Sequence, residues 1–139
     1  MFDPAQLTAA LVGLGARPPS ADLFEKLRAA YSQPGRHYHT ADHVVACLRL
    51  VRRHSHLVVR PLEVEVALWF HDVVYDSRLG DNEERSADWA RCALTELGAP
   101  SESVERVVGM VLATRSHRAD DPDTQLLIDV ALAVLGAEP

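Results

Sequence analysis

Apolar residues recur along most of this chain at the three-and-four spacing of helices that bury one face, and no stretch alternates with the period of a strand. A first helix is expected from residue 3 to about 13, where Asp3 caps and Pro4 occupies the first turn. Ser20 opens a second over 21–31, with Leu23, Phe24, Leu27 and Ala30 on one stripe. Pro34-Gly35 breaks the chain, and Thr40 caps a third helix reaching to about 57, with Val44, Cys47, Leu48 and Val51 as its stripe. A fourth helix runs from 62 to about 75 behind Pro61. It is apolar on nearly every side, so it is expected in the middle of the molecule. A fifth starts near Asn82 and stops at Gly98. A sixth starts at Ser101 and turns Val104, Val107, Val108, Val111 and Leu112 inward; a seventh covers 124 to about 135. The pattern predicts an all-α fold, one compact bundle of about seven helices over residues 1–139.

With 139 residues, 47% of them hydrophobic, the chain has material for one domain core. Fourteen basic against 20 acidic residues give a net charge of −6, which argues against a nucleic-acid polymer as partner. No apolar run reaches membrane-span length and no secretory pattern opens the chain, so no membrane partner and a cytoplasmic location are expected. Cys47 and Cys92 form no CxxC pair and read as two small buried hydrophobes, in keeping with a reducing compartment. The polar-poor seventh helix leaves a homodimer open.

The informative residues are charges stranded among apolar neighbours. His71 and Asp72 sit within ALWFHDVV, and Asp129 within LLIDVAL. A buried carboxylate without a partner is too costly to persist, and neither segment contains lysine or arginine. The compensating cation is therefore an arginine from elsewhere or a divalent metal. His43, on the helical row His43, Cys47, Leu50, supplies a fourth suitable group. His43, His71, Asp72 and Asp129 make a mixed nitrogen and oxygen set, suited to one divalent ion of Mn, Fe, Co, Ni or Zn better than to Mg.

This order of residues resembles the H…HD…D signature of the HD-domain superfamily of metal-dependent phosphohydrolases, and more closely one bacterial branch of predicted HD phosphohydrolases. The segments that carry the resemblance are YSQPGRHYHTADH (31–43), LWFHDVVYD (68–76), DNEERSA (81–87), ATRSH (113–117) and LIDVALAVLG (127–136). It spans residues 31–136 and implies an HD-type helical fold, a divalent ion at the four named residues, and hydrolysis of a phosphate ester. The substrate it implies is a small phosphorylated molecule, nucleotides included. Two departures stand out. The branch carries Asp-Ala-Asp-Leu where this chain has Asp129-Val130-Ala131-Leu132, and Asp129, the one acid left in that helix, is the expected ligand. The branch also continues through further helices, so a short or truncated member is expected. The alternative is a degenerate module that binds metal or nucleotide without turnover.

Hydrolysis by an activated water needs a carboxylate to take a proton. Asp76 is one candidate. Glu83 is another, because it shares the inner face of helix five with Ala87, Ala90 and Leu94 while Glu84 points away. Ser86 shares that inner side. Phosphate recognition is expected from Arg36 and His39 before helix three and from Arg115 and His117 after helix six. A di-iron oxygenase would need further ligands, which His39, Glu83 or His117 would have to supply.

Overall fold

The computed structural model describes residues 2–34, 36, 40–76, 78 and 80–137, the last three by backbone alone. Among the described residues the chain is all-helical: α1 Pro4–Gly13, α2 Ala21–Tyr31, α3 Ala41–Arg53, α4 Pro61–Phe70, α5 Asn82–Glu96, α6 Ser101–Ala113 and α7 Pro122–Ala137. A 3-10 turn at Ser55–Leu57 follows α3, so the third helix is shorter than expected. Local chemistry sets several ends. Asp3 Oδ1 accepts from the Ala5 amide at 2.9 Å and caps α1. Gly98 takes the left-handed conformation (φ +72°) that ends α5 at the expected place.

Helix α4 occupies the centre, as its apolar surface demands. Glu63 through Phe70 are all buried, and the helix packs against α1, α3, α5, α6 and α7. Trp69 lies in an aromatic cluster, with Phe2 at 4.7 Å and Phe24 at 6.3 Å between ring centroids. Two acids are buried in the same helix, and each is compensated. Glu63 accepts two hydrogen bonds from Arg106 (2.7 and 2.9 Å) and one from Ser103 Oγ (3.0 Å). Glu65 pairs with Arg52 at 2.9 Å. Asp123, buried at the start of α7, accepts from the Val59 and Arg60 amides (2.7 and 3.0 Å) and so holds the N-terminal end of α4.

The C-terminal end of α4 departs from expectation: the helix stops at Phe70 rather than near residue 75. Tertiary partners satisfy the backbone beyond it. Arg36 donates to the carbonyls of Asp72 (2.7 Å) and Val73 (2.9 Å), and Ser86 Oγ both accepts from the Val74 amide (3.0 Å) and donates to its carbonyl (3.3 Å). Residues 72–74 therefore need no helical partners. Two further expectations change. Leu112 is 40% exposed rather than turned inward, and Cys92 is exposed; Cys47 is buried. No helix among the described residues is long and apolar enough to cross a membrane.

Gly109 lies inside α6, and a Cβ built there meets nothing within 4 Å. Glycine is less favourable than alanine in a helix interior by about 0.5–1 kcal/mol. Gly109→Ala is expected to stabilise the protein by about that amount, read as a higher midpoint in urea unfolding with an unchanged slope.

Candidate metal centre

His43 enters the site from the first turn of α3, on the edge of the stripe formed by Val44, Cys47 and Val51, and is fully buried. His71 is the residue that follows the last turn of α4, with Asp72 immediately after it. One ligand atom from each of His43, His71 and Asp72 lies within 4.8 Å of the other two. The two imidazole rings are 5.5 Å apart between centroids.

Hydrogen bonding orients the rings. His71 Nδ1 lies 2.7 Å from the carbonyl of Leu68, an acceptor left open by the helix end, so Nδ1 carries the hydrogen. That leaves Nε2 facing Asp72 Oδ2 at 3.2 Å. An imidazole lone pair and a carboxylate oxygen so close require a proton or a metal cation between them. Burial acts most strongly on the His71 imidazolium, to disfavour it. The charge of Asp72, its hydrogen bonding and the Leu68 carbonyl together outweigh burial, so the His71 pKa is raised. His43 Nε2 lies 3.6 Å from Cys47 Sγ, one turn further along α3. The donor set, two imidazoles and one carboxylate around a buried ring nitrogen, could hold a divalent ion and leave coordination positions open.

The three donors face a cavity of about 100 Å³. Glu83 at the start of α5 borders it, as do Thr114 and His117 from the end of α6; Ile128, Ala131 and Leu132 form its α7 side. His117 has φ +55°, a left-handed conformation uncommon outside glycine, which costs about 1 kcal/mol. Its amide closes the turn on the Ala113 carbonyl at 3.0 Å. A larger cleft of about 420 Å³ lies at the other end of α4, between Arg60, Gly109 and Asp121. Its buried acids are already engaged, Glu63 by Arg106 and Asp123 by backbone amides, so the chemistry concentrates in the smaller cavity.

The structure thus brings together His43, His71, Asp72, Glu83 and His117, and it separates others from them. Asp129 is exposed, accepts from Gln125 Nε2 at 2.8 Å, and stands outside the donor cluster. The acid expected to be buried and to act as a ligand faces water, because the inward face of α7 runs through Leu127, Ile128, Ala131 and Val134. Asp76 also lies away from the cavity. Its carboxylate accepts from the Arg78 side chain and amide at 3.0 Å, and those bonds lower its pKa to about 2. The peptide of Asp76 is held by Asn82, whose side chain accepts from its amide (3.1 Å) and donates to its carbonyl (3.0 Å).

Arg115 is exposed and pairs with Glu84 instead of reaching the cavity. Arg36 is half-buried against the backbone of Asp72 and Val73, with its guanidinium over the rings of Tyr31 (5.3 Å) and Tyr75 (5.7 Å). It shapes the end of α4, which is a different task from phosphate binding. His39 lies outside the described residues. Thr114 and the apolar α7 face of the cavity, Ile128 and Leu132 beside the Ala131 already noted, were missed by sequence reasoning. The spacing of Ile128, Ala131 and Leu132, three and four apart, was a signal that could have found the latter.

No family model matches the chain, and comparison with curated proteins and with solved structures returns no match.

Proposed function

We propose that this chain is an HD-type, metal-dependent phosphohydrolase acting on an ester of a small phosphorylated molecule. The observation that carries this reading is the convergence of His43, His71 and Asp72 on one buried cavity that Glu83 also borders. His43, His71 and Asp72 would hold a single divalent ion, Mn, Fe, Co, Ni or Zn in preference to Mg because two of the donors are imidazoles. Such an ion, when bound, acidifies a water and offsets charge on phosphoryl oxygens. Glu83 takes the proton of the attacking water, since it is the carboxylate that borders the cavity outside the donor set. The His117 ring is the group on the α6 side that can donate to the phosphoryl oxygens, because the Thr114 hydroxyl already donates its hydrogen to the Val111 carbonyl at 2.6 Å.

A second reading, a module that binds without turnover, is favoured by one observation: the α7 position that borders the donors is Ala131, which offers no ligand. Metal analysis of the purified protein, followed by assays of phosphate esters with Mn, Co, Ni, Zn and Mg, separates the readings. Metal-dependent release of phosphate that disappears in Asp72→Ala supports the hydrolase. Metal binding with no product supports the module, and absence of any bound or titratable divalent ion overturns both.

A further inference from the structure

The cavity has two chemically unlike halves. One carries the donors of His43, His71 and Asp72 with Glu83, Thr114 and His117; the other is a wall of α7 made of Ile128, Ala131 and Leu132. That wall presents no hydroxyl, amide or charge. Ile128 and Ala131 are buried, whereas Leu132 is 44% exposed although it borders the site. A polar substituent turned toward α7 would give up water and gain no partner, while each methylene placed there is removed from water favourably.

Among the described residues, phosphoryl oxygens therefore have their partners on the donor side of this cavity of about 100 Å³. From this we infer that the ester is one of a small apolar alcohol, with its carbon chain laid on the α7 wall and leaving past Leu132. The inference rests on the hydrolase reading and names its substrate class. In the reaction, a water oxygen bonds to phosphorus and its proton passes to Glu83. The phosphorus–oxygen bond to the alcohol breaks, and the alkoxide recovers that proton and departs as the free alcohol beside inorganic phosphate.

Butylphosphonate and 3-hydroxypropylphosphonate have the same length and headgroup, and neither can be hydrolysed, so calorimetric titration of each into Mn-loaded protein reads the wall without requiring turnover. Butylphosphonate is expected to bind about tenfold more tightly. Leu132→Asn, at a position exposed enough to tolerate it, is expected to reduce that preference to less than about threefold, whereas Leu132→Met retains it. Equal binding, preference for the hydroxylated compound, failure of both to bind, or an unchanged preference in Leu132→Asn would each overturn the inference. Preferential binding of butylphosphonate without any hydrolysis of butyl phosphate would leave the apolar wall standing and remove the hydrolase reading instead.

Discussion

Ala131→Asp is expected to tighten divalent-ion binding by at least about tenfold, because it places a carboxylate on the α7 face that already borders the three donors. The matched substitution Asp129→Ala is expected to leave binding unchanged. The two positions are separated by two residues, about 200° around a helix, so one cannot face the cavity while the other does. Asp129 faces solvent and is engaged by Gln125; Ala131 is 9% exposed. Titration of cobalt or manganese into both variants, with circular dichroism to establish that each is folded, reads the difference directly. Weakened binding in Asp129→Ala together with none gained in Ala131→Asp would mean that α7 is rotated relative to the face described.

Tyr31→Phe is expected to cost about 1–3 kcal/mol at neutral pH, a large loss for removing one oxygen atom. The Tyr31 hydroxyl donates to the Trp69 carbonyl at 2.9 Å and accepts from the Asp72 amide at 3.3 Å, so its removal leaves two backbone groups at the end of α4 without that partner. The same hydroxyl predicts an alkaline limb. Burial, and then the nearby charge of Asp72, raise its pKa well above the ordinary value. Above about pH 10 the unfolded chain loses the tyrosine proton while the native chain retains it. The unfolded state then binds fewer protons, so stability falls as pH rises, from about pH 10 until the native group itself ionises. Chemical denaturation at pH 7, 9 and 11 should show this decline in the parent chain and a shallower one in Tyr31→Phe. Identical slopes would remove Tyr31 as its source.

Both predictions concern the end of α4 and the face of α7, where sequence and structure part company. Hydrophobic spacing was enough to place seven helices, to set α4 at the centre, and to turn Val44, Cys47, Leu48 and Val51 of α3 inward. It also put His43, His71, Asp72 and Asp129 forward as one ligand set and Glu83 as a candidate base, and all of these but Asp129 border one cavity. These are properties of a segment and its own period, and a sequence carries them in full.

Three things escaped the hydrophobic pattern. Arg36 reads as a phosphate-binding cation, but its guanidinium is taken by carbonyls some 36 residues away, which ends α4 early. Asp76 reads as a base beside the site, yet a neighbouring arginine holds it elsewhere. Asp129 reads as a buried acid because its neighbours are apolar, but neighbours along a helix point in different directions, and the packing of α3, α4 and α6 on α7 selects the side that loses water. A residue's neighbours in sequence state what it would cost to bury; only the packed helices decide whether that cost is ever incurred.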